Sequence, residues 1–432
     1  MNKLFKLSAM ALAVSACIST AAYADQAETK GGITLKTDDG RFEAKVGGRI
    51  HFDGNLVSED DGSTLASGSN ANPSQSGFYF RRIYMTLQGK LYGWSYKIEP
   101  DFAPNNGSGA TSIAFQDVYL ATDIGPGELQ IGQRKPFRAM EDLTSSNDIL
   151  MIERPFASSS GGLLKAGSDR EFQDGLFYHG SGDNYTWGTS FTSLRRDNTP
   201  GTEGWGSSAR GTFTPISSDG AIVHVGLNAS YEKPANNQSA SPSSKPTSIG
   251  SGGFAYAGRR GPTFNLASTS RPVTTVGLEY ANVFGPFFAQ AEFYNQTLLA
   301  DKAYGGANLV TQTVQAYYVQ ASYFVTGETK PYKKKDGVFG NPKPNNDFGA
   351  VELTARYDGA KNKDINAGNL GVAGNCVVGA DKCEIRTITV GANYYFNPNV
   401  RFMLNYVIGK ADAGVKGEDS PKTLAARFQL AF

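Results

Sequence analysis

The sequence predicts an all-β protein: a 16-stranded antiparallel transmembrane β-barrel with inward-folding loops. Three observations predict it. Apolar and polar residues alternate with period two through many long segments, so one face of each segment is greasy and the other polar. The segments are joined alternately by tight turns and by much longer connections, as in outer-membrane barrels. The chain opens with an export signal, yet no later segment approaches the roughly 20 apolar residues of a membrane helix.

From the N-terminus, MNKLFK is a short basic start, and the apolar run LSAMALAVSACISTAA leads to Ala22-Tyr23-Ala24 before Asp25. This is a secretory signal peptide, 1–24, with an A-x-A cleavage site. Val14-Ser15-Ala16-Cys17 offers a lipoprotein box as the alternative, less well formed than the site at Ala24. Residues 25–40 read as a short periplasmic lead-in, and 41–432 as the barrel.

The strands are placed at 41–53, 78–90, 92–102, 112–122, 127–134, 171–180, 185–194, 205–215, 221–231, 273–283, 287–297, 313–326, 348–358, 386–396, 399–410 and 422–432. The alternation is plain in 350–358, where Val351, Leu353, Ala355 and Tyr357 interleave with Glu352, Thr354, Arg356 and Asp358. It recurs at the end of the chain, where Phe428, Leu430 and Phe432 share one parity. A soluble sandwich also alternates, but it rarely needs so many long strands with such uneven loops. Every other connection is tight: around Leu91, 123–126, 181–184, 217–220, 284–286 and 397–399. With both termini periplasmic, the tight set falls on the periplasmic side. One connection breaks this rule. Residues 327–347 are long and carry Lys330, Lys333, Lys334, Lys335 and Lys343. They read either as a solvated charge run or as a segment folding into the lumen. Two outer loops, 135–170 and 232–272, are also long.

Charge excludes some partners. Removing Lys3 and Lys6 with the signal leaves 39 basic residues against 40 acidic ones, so nothing argues for nucleic acid. The three histidines, His51, His179 and His224, are scattered and none lies near a cysteine. No P-loop, dinucleotide fingerprint or metal-ligand spacing is present, so the reading is a non-enzyme without cofactor or metal. Cys376 and Cys383 sit close together in an exported chain and are expected to form a small loop disulfide.

Arginines and lysines fall on the polar parity at Arg49, Arg82, Lys90, Lys97, Arg134, Arg210, Arg356 and Arg427, among carboxylates such as Asp53, Glu99, Asp117 and Glu279. One pair is awkward. In FYFRRIYMTLQGK (78–90), Arg82 shares parity with Tyr84, Thr86 and Gln88, while Arg81 shares parity with Ile83 and Met85. A bare arginine facing lipid costs on the order of 2–4 kcal/mol near the midplane. Both arginines reach the lumen only if the strand is bulged at the doublet; the alternative is Arg81 at a subunit interface.

The motifs G-G-R at 47–49, Y-F-R-R-x-Y at 79–84, E-R at 153–154, A-R-G-x-F-x-P at 209–215, F-F-A-Q-A-E at 287–292, Y-Y-V-Q-A-S-Y-F-V-T-G-E at 317–328 and G-A-V-E-L-x-x-R-Y-D at 349–358 carry a resemblance over most of the mature chain. They resemble the phosphate-selective porins O and P of Gram-negative outer membranes. The resemblance implies a trimeric 16-stranded barrel, in contact with outer-membrane lipid and lipopolysaccharide, whose third and fifth loops and one long periplasmic turn fold into the lumen. It implies constriction residues at Arg49, Arg81, Arg82 and Arg154, with Tyr84 beside the doublet and Asp117, or its neighbour Gln116, as an acid. Lys135, Arg138, Arg259, Arg260, Arg271, Lys330, Lys333, Lys334 and Lys335 are candidate pore-loop cations. KPFRAMED at 135–142 departs from the family's third loop, which leaves open whether phosphate, pyrophosphate or small anions in general are preferred. The expected function is passive, anion-selective uptake of phosphate or polyphosphate. The alternative is a general porin whose lumen arginines brace the wall.

Overall fold

The computed structural model describes residues 26–28, 32–58, 76–103, 113–158, 164, 171–194, 204–233, 272–299, 311–363, 384–412, 418–420 and 422–432. The expected signal peptide 1–24, the cysteines Cys376 and Cys383, and the loop cations Arg259, Arg260 and Arg271 lie outside these residues.

Sixteen strands form the wall. They are β1 Phe42–Ser58, β2 Gly77–Leu91, β3 Trp94–Asp101, β4 Ala114–Ile124, β5 Gly127–Arg134, β6 Gln173–Ser181, β7 Tyr185–Ser193 and β8 Trp205–Ser218. The second half comprises β9 Ala221–Lys233, β10 Val273–Phe284, β11 Phe287–Leu298, β12 Gln312–Phe324, β13 Ala350–Asn362, β14 Glu384–Tyr395, β15 Val400–Asp412 and β16 Lys422–Ala431. Each pairs antiparallel with the next. β16 closes on β1 with Leu430 opposite Ile50 and Arg427 opposite Asp53, so the wall has no free edge. The sixteen segments read from periodicity correspond one to one with these strands, most of them longer than expected. The lead-in also joins the wall: Ile33–Lys36 pairs with Glu43–Val46 of β1 just beyond the end of β16.

The period-two pattern runs apolar outward. Leu56, Phe80, Leu120, Phe191, Leu227, Leu278, Val319 and Leu353 are all exposed. In water such a belt would aggregate; in a bilayer it is the surface that lipid requires. Aromatics such as Phe42, Tyr92, Trp94, Tyr185, Phe287 and Phe396 gather beside the tight turns, as at a membrane interface. The turns use special backbone: between Leu91 and Trp94, Tyr92 (φ 49°) and Gly93 (φ 85°) both adopt the left-handed region that suits a two-residue hairpin.

The interior inverts the pattern of a soluble core. His51, Asp53, Arg82, Glu279, Glu352 and Arg427 are buried inside the wall. The lumen is not polar throughout, however. Ile222, Ala281, Val283 and Phe288 point inward and pack with Met140, Leu150 and Met151 of loop 135–170 and with Val338 and Phe339 of the 327–347 insert. The described parts of both segments therefore fold into the barrel and fill part of it. Within the loop, α1 (Met140–Leu143) is a single turn. Its first backbone N–H groups, Met140 and Glu141, donate to the Glu292 carboxylate on β11 (2.8 and 3.0 Å). The insert forms a small hairpin, Tyr332–Lys333 against Val338–Phe339.

Candidate ion pathway

Beside these inward segments lies a cavity of about 840 Å³ against β1 to β8. Nine Arg or Lys and six Asp or Glu line it. The whole chain carries a formal net charge of only +1, so this excess of cations belongs to the place and not to the composition.

The arginine doublet stands on β2. His51 pairs with Arg82 and the next residue, Phe52, pairs with Phe80, so Arg81 is the extra residue of a β-bulge. This bulge turns both guanidiniums inward. Arg81 Nε donates to Glu153 Oε1 (2.7 Å) in the inward loop. Glu153 also receives Arg427 Nη2 (3.3 Å), which itself pairs with Asp53 across the barrel seam (2.8 Å). Burial opposes ionisation of Glu153, but the charges of Arg81, Arg82 and Arg427 outweigh it and hold the carboxyl at about 2.

Arg82 differs from its neighbour. It is 4% exposed, lines the cavity, and has no carboxylate within salt-bridge distance among the described residues. Its buried Nη1 has no hydrogen-bond partner among the described residues. A buried guanidinium carries a desolvation cost that a nearby negative charge would offset. Arg49 lies over the Tyr84 ring (4.8 Å), pairs with Glu99 (3.1 Å) and donates to the Ser146 hydroxyl (2.9 Å). Asp117 is joined to Lys97 (2.5 Å), and Lys97 lies 3.7 Å from Glu99. A second bulge, between the Ile98–Val118 and Pro100–Phe115 pairs, accompanies this turn of β4. Asp117, not Gln116, lines the cavity.

Loop cations complete the lining. Arg154 donates to the carbonyls of Glu141 (3.0 Å) and Thr144 (2.6 Å), and Lys135 to that of Asp142 (2.7 Å). Lys135 and Arg154 also approach Glu171, at 2.6 and 3.6 Å. Lys333 and Lys335 reach the cavity from the insert, with Lys333 on Asp148 (2.5 Å).

Four expected pore cations are placed elsewhere. Arg138 is 1% exposed and turned from the cavity, because its guanidinium answers the buried Glu232 carboxylate (2.7 Å). Lys330, at the start of the insert, is buried 3.6 Å from Glu352 and over the Phe288 ring. Lys334 is exposed on the hairpin and does not line the cavity. Arg81 lies behind the lining, on Glu153.

Sequence reasoning missed Arg401 on β15, which donates to the carbonyls of Ile149 (3.0 Å) and Leu150 (3.2 Å) and so pins the inward loop. Met403 and Val407 share its inward parity, which blurs the polar face that would reveal it. A signal for the bulge was available. Phe78 and Phe80 face outward on even numbers, Met85 on an odd one, so the apolar phase switches at the doublet.

A closed barrel with an apolar belt and a charged, loop-narrowed lumen defines the class: an outer-membrane porin. The family model for phosphate-selective porin O and P matches residues 45–432, and this chain belongs to that family. It is similar to Porin O of Pseudomonas aeruginosa, 30% identical over 454 aligned positions, covering 99% of this chain and 98% of that one. Its fold is similar to that of an anion-selective porin from Comamonas acidovorans (TM-score 0.56, 14% identity, 90% of this chain and 100% of that one). It is also similar to a trimer form of OmpT of Vibrio cholerae (TM-score 0.52, 11% identity, 90% and 99% covered). The chain is thus an anion porin of the Gram-negative outer membrane, a channel and not an enzyme.

Proposed function

We propose that this porin conducts phosphate-class anions, orthophosphate or pyrophosphate and polyphosphate, through a constriction built on Arg49, Arg82, Tyr84, Asp117 and Arg154. Lys135, Lys333 and Lys335 draw anions in, and Arg81 steadies the loop from behind. Arg82 carries the reading: a buried guanidinium, with no carboxylate within salt-bridge distance among the described residues, faces the cavity. Phosphate oxygens match the planar fork of a guanidinium, which stays charged at all working pH values. Lys97 and Arg49, held by Asp117 and Glu99, are tempered cations, so a phosphate is bound loosely enough to leave. The family's name and the similarity to Porin O support the choice of anion.

The porin works as a homotrimer embedded in outer-membrane lipid and lipopolysaccharide. The trimeric OmpT of similar fold and the aromatic rim support this. Residues 1–24 act as the export signal, 25–40 as the lead-in and 41–432 as the porin domain.

A second reading has its own observation. Arg427 on Asp53 and Arg138 on Glu232 are paired inside the wall, so some lumen arginines brace the barrel and a general porin is the competing function. Conductance in planar bilayers separates the two. Added phosphate blocks chloride current under our reading. Unblocked chloride current with equal passage of cations would sink it.

A further inference from the structure

Besides the apolar packing of Val338 and Phe339, two polar attachments hold the hairpin that carries Lys333 and Lys335 against the wall. We infer that Arg210 is a positioning residue: with Glu279, His224 and Tyr332 it forms a latch that keeps the hairpin tip, and therefore its lysines, in the ion path. The inference rests on the reading that lining cations set the anion preference.

Arg210 stands on β8 and Glu279 on β10. Arg210 Nε lies 2.9 Å from Glu279 Oε1, and Nη2 lies 2.8 Å from Oε2. Both side chains are almost fully buried (3% and 0% exposed). This bidentate pair answers the arginine's charge within the wall. The rest of the fork grips backbone: Nη1 donates to the Asp336 carbonyl (3.0 Å) and Nη2 to the Gly337 carbonyl (2.7 Å). Although Arg210 lines the cavity, its donors are directed to the turn of the hairpin.

The turn is fitted to this seat. Gly337 has φ 61°, and a Cβ there would lie 2.9 Å from Thr186 Oγ1 and 3.0 Å from Thr212 Oγ1. The second point of attachment is Tyr332. Its hydroxyl lies 2.8 Å from His224 Nδ1, while His224 Nε2 lies 3.3 Å from the same Glu279. With Nε2–H donating to the carboxylate, Nδ1 accepts the Tyr332 proton. Thr214 Oγ1 lies 3.2 Å from Tyr332 Oη. Glu279 thus organises both grips, one on the turn and one on the first strand of the hairpin. A lysine at 210 would keep the charge but lacks a fork that spans two carboxylate oxygens and two carbonyls.

The test uses the full-length porin with Arg210→Lys, Tyr332→Phe and Lys333→Gln/Lys335→Gln, alone and combined. The first readout is the rate of tryptic cutting at Lys333 to Lys335, followed by mass spectrometry. A latched hairpin resists cutting; Arg210→Lys and Tyr332→Phe are each expected to raise the rate about tenfold, the factor that one lost hydrogen bond of ordinary strength commands. Unchanged cutting in both variants overturns the latch. The second readout is the reversal potential in a salt gradient. Arg210→Lys is expected to lower anion preference in the native background and to add nothing in the Lys333→Gln/Lys335→Gln background. An equal shift in both backgrounds means that Arg210 meets the ions directly and overturns the inference. If the double lysine variant leaves selectivity unchanged while the latch variants are cut faster, the latch stands and the selectivity reading fails.

Discussion

Arg81 and Arg82 are neighbours in one strand, yet both guanidiniums point into the barrel. Regular alternation forbids this, since consecutive strand residues face opposite sides. The bulge opposite His51 and Phe52 removes the conflict. It also divides the labour: Arg81 is spent on Glu153 and Arg82 is left open to the cavity.

Arg82→Ala is therefore expected to cut phosphate affinity by at least about tenfold, the loss of one hydrogen bond to a charged group. Arg81→Ala is expected to act less on affinity and more on the steadiness of the open channel. Phosphate titration of chloride current, with noise analysis, checks both. Equal effects of the two variants would remove the distinction.

Asp117 restrains Lys97 at 2.5 Å. Asp117→Asn releases a cation into the cavity, so phosphate block is expected to tighten by a few-fold and its release to slow. Dwell times in single-channel records report the change. A weakened block would show that Asp117 serves anion binding by holding Lys97 in place.

Glu153 ties the inward loop to Arg81 and Arg427. Its pKa is depressed from 4.5 to about 2, so its contribution is complete above the ordinary carboxylate range and is lost as pH falls through the lower value. Channel noise is expected to stay flat from neutral pH down to about 5 and to rise as pH falls from 4.5 towards 2. Glu153→Gln should be noisy throughout the range and lose amide protection in the loop. Removing one partner of such a buried pair costs about 3–5 kcal/mol. Bilayer recordings and hydrogen exchange across the pH series supply the check.

Gly337 sits with φ 61° against Thr186 and Thr212. Gly337→Ala meets a left-handed backbone cost of about 1–2 kcal/mol and the clash of its Cβ. Amides of the insert are expected to exchange faster while those of the barrel strands hold their protection. Unchanged exchange in the insert would mean that the turn can shift without leaving its seat.

Much of the barrel was legible because a wall between lipid and a charged lumen imposes one rule on every strand. Val351, Leu353 and Tyr357 must face out and Glu352, Arg356 and Asp358 in, and period two records it. The alternation of tight and long connections gave the strand count, and the lysine-rich insert declared itself by standing on the wrong side. The family motifs marked Arg49, Arg82 and Arg154 as cavity residues.

The sequence by itself determined the class of fold, the compartment, the strand order and, outside the bulged and loop-filled stretches, which side chains face inward, since these follow from residue type and spacing along one chain. Tertiary structure decided what each inward charge does. Arg82, Arg138 and Arg210 read alike as lumen or loop cations, yet one is open, one is sealed on Glu232 and one grips the carbonyls of Asp336 and Gly337. Their fates depend on partners 94 and 126 residues away, brought near by closure of the barrel and by two segments folding into it. No local period encodes such pairings, because the field at a buried guanidinium is set by what lies across the lumen and not by its neighbours in the chain.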